Sequence, residues 1–146
     1  MPRLDAERIA LWRQFAVLSS RLQREIDQKL LDEHSLPLNW FEVLTVVRGA
    51  GGAMRVHELC EALDEVPSSL SRRLARMQEE GYLKRRHTPR PDDRRAVTVS
   101  LTADGRAAWR DANITYRRLV QQLFAQRLTD TDIAALQRIW GKLADS

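Results

Sequence analysis

Apolar residues near the start of the chain recur at steps of three and four, which is the spacing of one face of an α-helix. They are Leu11, Phe15, Leu18, Leu22, Ile26 and Leu30. The pattern predicts one long helix over about residues 4–31. Between Ile9 and Leu18 apolar side chains cover more than one face, so we expect this half to be buried on two sides. Because a chain of 146 residues is too small to cover both sides, a partner subunit is the simplest cover.

Two short helices are predicted in the next part of the chain. Asn39 and Glu42 have the spacing of a capping box at the start of the apolar run 40–47. The glycine-rich stretch 49–52 ends that helix. A second helix is predicted over residues 56–63, with its apolar side chains directed inward.

A third short helix follows a tight turn at Asp64 and Glu65. Pro67 suits its first position, because the missing N–H of proline costs nothing there. The inward stripe is formed by Leu70, Leu74 and Met77. Gly81 is the expected left-handed residue after the helix end. The spacing therefore predicts a helix over about residues 67–80 that packs through one face only.

The apolar period then changes from that of a helix to that of a strand. Residues 82–87 and 97–101 are strand candidates, and the second alternates apolar and polar positions. The polar segment 88–93 joins them, which predicts a two-stranded hairpin with a basic tip. Thr102 can cap a helix running to about Arg127. Thr129, with Asp132, can cap a last helix that ends near Leu143.

Charge is concentrated in one part of the chain. The whole sequence carries a net charge of +4. The segment 72–95 contains nine basic and four acidic residues, so it carries +5 and the rest of the chain −1. A positive field on a nearly neutral body is typical of a protein with a polyanionic partner.

The predicted order of elements is that of a winged helix-turn-helix with long helices at both ends. The expected fold class is therefore mainly α with a small β-hairpin wing. The major groove of DNA admits one α-helix, and we expect the third short helix to enter it. Its candidate DNA-binding residues are Ser68, Ser69, Ser71, Arg72, Arg73 and Arg76. The candidates at the hairpin tip, which can reach the minor groove, are Arg90, Asp93, Arg94 and Arg95.

Four motifs in this region resemble the MarR family of bacterial regulators. They are PSSLSR at 67–72, EEGYL at 79–83, DDRRAV at 92–97 and LTADGR at 101–106. The resemblance implies a single domain over 1–146, with a DNA-binding lobe at about 38–101 and dimerisation helices at about 4–32 and 103–144. It also implies a homodimer on a pseudo-palindromic operator of double-stranded DNA.

The resemblance further implies roles for individual residues. In that family a wing arginine enters the minor groove and the aspartate ahead of it orients this arginine; the corresponding residues are Arg95 and Asp93. The chain departs from the family at Val66, where Thr or Ser is more usual as the helix cap. The expected function is that of a transcription regulator, more often a repressor, which a small aromatic or phenolic effector releases.

A ligand cavity is expected where the long first helix crosses the second. The candidates for lining it are Trp12, Arg13, Phe15, His34 and Trp40. Arg13 or His34 could anchor a carboxylate. Plain core packing is the alternative interpretation of these aromatic residues.

The remaining features exclude other classes of protein. The sequence has no Gly-rich phosphate loop, no catalytic triad order and no paired carboxylates, so nothing in it indicates an enzyme. No cofactor or metal site is expected. The only cysteine, Cys60, is interpreted as a buried structural thiol, with a redox switch as the alternative. A sequence-tolerant architectural DNA-binding protein is a second alternative. A lone cysteine, together with no apolar run of transmembrane length and no signal peptide, suggests a cytoplasmic protein without a membrane partner.

Overall fold

The structure is a computed structural model that describes residues 5–145. It contains helices and strands in the order α1 (Ala6–His34), α2 (Leu38–Gly49), β1 (Ala53–Arg55), α3 (Val56–Leu63), α4 (Pro67–Glu79), β2 (Leu83–His87), β3 (Val97–Leu101), α5 (Ala103–Leu123) and α6 (Asp130–Ala144). A short 3-10 turn lies between α5 and α6. The three strands form an antiparallel sheet in the order β1-β3-β2. The expected fold class, mainly α with a small β wing, is confirmed.

Several helix ends agree with the caps predicted from the sequence. Thr102 accepts a hydrogen bond from the backbone N–H of Gly105 at 3.0 Å, and Thr129 and Asp132 form a reciprocal capping box. Pro67 occupies the first turn of α4, after Val66, whose side chain makes no capping hydrogen bond. Gly81 has a φ of 82°, in the left-handed region that favours glycine.

The predicted cap of α2 is wrong. The helix already begins at Leu38, so Asn39 lies inside it, and its N-cap residue is Pro37. A capping partner comes instead from another helix, because the backbone N–H of Leu38 donates to the Asp27 carboxylate at 2.8 Å. This bond joins the start of α2 to α1.

Other boundaries also differ from the prediction. The wing sheet has a third strand, β1, whose Met54 pairs with Val99. The long helix α1 extends to His34, three residues further than expected, and the predicted start at residue 4 lies outside the described residues. Helix α5 ends at Leu123, where the last turn tightens into the 3-10 segment.

The core lies between α2, α4 and α5 and the sheet. Phe41 is 1% exposed and stacks against Trp109, with a centroid distance of 6.4 Å, and against Tyr116 at 4.6 Å. Of the long helix α1, only Ile26 and Leu30 are buried. The core is therefore almost complete without the first half of α1.

The two ends of the chain leave an apolar surface uncovered, which we call the terminal apolar face. It consists of Leu11, Trp12, Phe15, Val17 and Leu18 of α1 and Ile139, Trp140 and Leu143 of α6, all between 40% and 68% exposed. Its two parts touch where Phe15 packs against Trp140, with ring centroids 5.9 Å apart. Within one chain, the expected burial of α1 on two sides is not found. No helix among the described residues is long and apolar enough to cross a membrane.

Candidate nucleic-acid interface

Helix α4 is held to the core by one face, and its opposite face is open to solvent. Its three predicted inward residues, Leu70, Leu74 and Met77, are fully buried. The turn before it is fixed by Asp64, which takes a left-handed conformation with φ 52° and ends α3. The predicted DNA-binding residues that α4 exposes are Ser68, Ser69, Ser71, Arg72 and Arg76.

Arg73 differs from the other predicted residues of α4. Its guanidinium donates two hydrogen bonds to the Glu65 carboxylate, at 3.1 Å and 2.6 Å. Its side chain is only 12% exposed. The prediction that Arg73 lies on the open face of α4 is therefore wrong, because the acidic residue of the preceding turn draws the side chain back. This pair fixes the turn against α4.

The wing tip is braced by hydrogen bonds across its loop. The backbone N–H of Thr88 donates to the Ala96 carbonyl at 2.8 Å. Nε2 of His87 bonds the Arg94 carbonyl at 2.7 Å. The backbones of Arg90 and Asp93 exchange a pair of hydrogen bonds at the tip. The loop is therefore a constrained turn, which keeps its exposed arginines in place.

Asp93 organises the wing differently from the way in which the resemblance implies. Its carboxylate accepts from the backbone N–H of Arg95 at 3.0 Å, and the described structure contains no bond to the guanidinium of Arg95. The second carboxylate oxygen lies 3.8 Å from the guanidinium of Arg55, at the junction of β1 and α3. Asp93 thus orients the backbone of the wing and links it to the body of the lobe.

Uncompensated positive charge gathers on this side of the molecule. Five arginine side chains make no hydrogen bond or ion pair with another described residue. They are those of Arg72, Arg76, Arg90, Arg94 and Arg95. By contrast, Arg85 of β2 donates to Gln78 of α4 at 3.0 Å, which ties the wing to the helix. The free guanidinium groups on α4 and the wing can therefore meet an external anion.

Sequence reasoning missed Glu65 and Arg55 as members of this region. The sequence pattern places Glu65 in a turn and indicates no role for Arg55. Both act through partners in other elements, Arg73 and Asp93. Local spacing carries no signal for such contacts, although an acidic residue just before an arginine-rich helix is a hint of pairing.

The five predicted ligand residues do not surround one cavity. Trp12 packs on Phe15, with ring centroids 6.2 Å apart, and both face outward. Arg13 is exposed on the same helix. His34 bonds Thr115, and Trp40 lies edge-on to Tyr82 at 6.1 Å on another side. Within one chain these residues therefore line no shared pocket, because they belong to different faces of α1 and α2.

A cavity of about 860 Å³ does lie between α1 and α2, but other residues line it. Its walls include Asp27 of α1, Glu42 of α2, Glu65 and Tyr116 of α5. Burial raises the pKa of the Glu42 carboxyl. Burial, with a smaller contribution from the nearby Glu42, also raises the pKa of the Tyr116 phenol. The cavity is thus lined by three carboxylates and one guanidinium, that of Arg24, and one of the carboxylates, Glu65, also holds Arg73.

Cys60 lies in α3 and is 8% exposed. Burial raises the pKa of its thiol, and the charges of Glu65 and Glu61 add to this effect. A raised pKa leaves little of the reactive thiolate at neutral pH. These surroundings favour the interpretation of Cys60 as a structural thiol.

Comparison with known proteins agrees with this geometry. The family model described as MarR family matches residues 34–96. The multiple antibiotic resistance protein MarR of Salmonella typhimurium is 32% identical over 130 residues, which are 84% of this chain and 88% of that protein. The regulator PecS of Dickeya dadantii is 32% identical over 71% of this chain, and the match spans 62% of PecS.

Among solved structures, Sco3205 of Streptomyces coelicolor in complex with DNA superposes with a TM-score of 0.88. The two are 25% identical, and the alignment covers 99% of this chain and 91% of Sco3205. Both ends of the chain, as well as the winged helix, are therefore part of the likeness. The chain belongs to the MarR family of winged-helix transcription regulators.

Proposed function

We propose that this regulator binds a pseudo-palindromic DNA operator as a homodimer and acts as a repressor that a small molecule releases. One observation carries the DNA-binding part. The open face of α4 and the braced wing tip present five arginine side chains without a partner among the described residues. Guanidinium groups without an internal partner are available to bond an external anion.

Helix α4 is the element proposed to enter the major groove. Ser68 and Ser69 at its first turn are small enough to allow close approach to the DNA. Arg72 follows one turn later, where its guanidinium can bond the base edge of guanine or position the helix. The buried stripe on the other side of α4 anchors the helix in the lobe, so that the reading face keeps its orientation.

The wing is proposed to reach the adjacent minor groove through Arg95, with Arg90 and Arg94 at the same tip. Narrow A·T-rich minor grooves concentrate negative potential, which favours an inserted arginine. Asp93 supports this role by holding the Arg95 backbone at 3.0 Å. It leaves the guanidinium of Arg95 free for DNA.

The terminal apolar face is proposed as the dimer interface. Exposed apolar surface of this extent, with two tryptophans, is typical of a protein–protein contact. Two copies joined symmetrically through it would relate their α4 helices by a twofold axis, as a pseudo-palindromic site requires. The division into dimerisation helices at both ends and a DNA-binding lobe at about 38–101 follows from this proposal.

The cavity between α1 and α2 is the proposed effector site. A phenolic hydroxyl could donate to Glu42, whereas a carboxylate effector would face Asp27, Glu42 and Glu65 and could pair with Arg24. Glu65 also pairs with Arg73 of α4. A ligand that binds better when this pair has shifted would therefore move α4 and favour the state that does not bind DNA.

Selection of bound duplexes from a random pool, followed by footprinting, tests the proposal. A regulator protects one discrete symmetric site, whereas an architectural protein protects none. Arg72→Ala should weaken operator binding by ~1–3 kcal/mol and relax base preference at one position of each half-site. Arg95→Ala should weaken it by a similar amount, with an effect that grows with the A·T content at the outer edges.

Two further variants sharpen the assignment of the wing. Asp93→Ala should reproduce a weaker form of Arg95→Ala, since it loosens the arginine without removing its charge. Arg110→Ala, an exposed arginine of α5 outside the lobe, is the charge-matched control and should leave affinity unchanged. If Arg72→Ala and Arg95→Ala both leave operator affinity intact, the DNA-binding surface lies elsewhere.

A further inference from the structure

A polar notch lies beside the open face of α4, between that helix and the start of α2. Its volume is about 300 Å³, and we call it the notch. It is lined by Asn39, Trp40, Ser69, Arg72, Arg73 and Arg76. None of these lining residues is acidic, and Arg73 is already paired with Glu65 outside the lining set. The notch therefore carries two uncompensated guanidinium charges, those of Arg72 and Arg76.

The α2 side of the notch adds hydrogen-bond donors. Neither the side-chain amide of Asn39 nor the indole N–H of Trp40 bonds any other described residue. The ring of Trp40 is nevertheless fixed, because it packs edge-on against Tyr82 with an interplanar angle of 80°. Two neutral donors from α2 thus face two cations from α4, a set that suits a tetrahedral oxyanion.

We propose that the notch binds one backbone phosphate of the duplex on which α4 sits, with Asn39 and Trp40 as contacts that the helix-turn-helix and wing do not include. This inference rests on the DNA binding proposed above. The major groove is about 12 Å wide and holds one helix, so an element flanking α4 meets the sugar–phosphate edge rather than the bases. Trp40 then belongs to the DNA surface and not to an effector pocket.

Two substitutions test the α2 side of the notch without removing a core residue. Asn39→Asp puts a negative charge among the donors, and the first turn of a helix tolerates an acidic residue well. It should lower affinity roughly tenfold because a carboxylate replaces a donor beside the phosphate. Trp40→Phe keeps a ring against Tyr82 and removes the N–H, and should lower affinity roughly threefold to tenfold. Thermal unfolding of both variants should match the wild type.

The readout that identifies a phosphate contact is the comparison of selected operator with scrambled duplex. Both variants should weaken binding to the two duplexes by the same factor, because phosphates carry no sequence information. Arg76→Ala should reduce the slope of log affinity against log salt by about 0.9. In the Arg76→Ala background, Trp40→Phe should have little further effect on affinity, which a double-mutant cycle measures. Gln137→Glu on α6 is the charge-matched control and should leave the affinity for both duplexes unchanged.

Each contrary result has a distinct meaning. If Arg72→Ala and Arg95→Ala weaken operator binding while Asn39→Asp and Trp40→Phe do not, the notch assignment is overturned and the proposed function stands. If all four leave binding intact, both are overturned. A loss confined to operator means base reading and overturns the phosphate contact. Titration of DNA-free protein with inorganic phosphate tests the other source of this anion. Saturable quenching of tryptophan fluorescence that Trp40→Phe abolishes, with DNA affinity unaffected by the variants, would assign the notch to free phosphate instead.

Discussion

The winged-helix lobe and the terminal apolar face contain the same kinds of apolar residue in opposite surroundings. Phe41 in α2 is 1% exposed, whereas Phe15 in α1 is 48% exposed. The lobe closes its core with α5 and the last part of α1, but α6 contributes no buried residue. The lobe thus buries its apolar side chains within one chain, whereas the ends of the chain leave theirs exposed, and the proposed dimer would cover them.

The largest expected effect is on the core of the winged-helix lobe. Phe41→Ala removes a ring that stacks between Trp109 and Tyr116, and it should lower the free energy of unfolding by about 3–5 kcal/mol. Denaturant unfolding measures the change, which should be the same at every protein concentration because the lost contacts lie within one chain. A loss below ~1 kcal/mol would mean that the core around α2 is looser than the packing indicates.

The matching substitution in the terminal apolar face should act on the association of two subunits. We expect the wild type to sediment at about twice the 16.9 kDa chain mass at micromolar concentration. About half of Phe15 remains to be buried in each subunit, so Phe15→Ala should raise the dimer dissociation constant roughly 10- to 100-fold.

Val66→Ala provides the control for this measurement, because Val66 is 63% exposed but lies in the lobe. It should leave the dissociation constant unchanged. A wild-type chain that sediments as a monomer with its helices intact would remove the reason given for the terminal apolar face.

The sequence predicted those parts of the fold that local chemistry determines. Pro67, Gly81, Thr102 and Thr129 mark helix ends through their own backbone or side-chain properties, and all four were placed correctly. Alternation in the segment 97–101 revealed strand β3 for the same reason. The family motifs then pointed to α4 and the wing as the candidate site.

What the sequence did not predict depends on contacts between distant residues. Strand β1 is three residues long and exists only because β3 is there to pair with it. Asp27 caps α2 from eleven residues away, whereas the local spacing points to Asn39. Glu65 withdraws Arg73 from the open face of α4 across the turn. Spacing along the chain records none of these partners.

The Glu65–Arg73 pair offers an intermediate test in the winged-helix lobe. Glu65→Gln keeps the shape of the side chain but removes its charge, and should lower the free energy of unfolding by about 1–2 kcal/mol because charge-assisted hydrogen bonds are lost. Glu79→Gln, at an exposed position of α4, is the control and should have no measurable effect. Equal effects of the two changes would mean that the pair does not fix the turn.

The smallest expected effect is a pH dependence where the two regions meet, at the end of α1. The Thr115 hydroxyl donates to Glu33 at 2.9 Å, and this bond, with a further contribution from Arg118, lowers the pKa of the Glu33 carboxyl. A lowered folded-state pKa stabilises the fold above about pH 4.3, the value in an unfolded chain, and the stabilisation is lost as the pH falls through the folded value.

Glu33→Gln should therefore be slightly less stable than the wild type at neutral pH, and the difference should shrink towards zero in acid. Urea unfolding at a series of pH values measures it, with Glu25→Gln on the exposed side of α1 as the control that shows no such trend. A difference that stays constant down to the lowest pH would mean that the charge of Glu33 adds nothing to its bonds with Thr115 and Arg118.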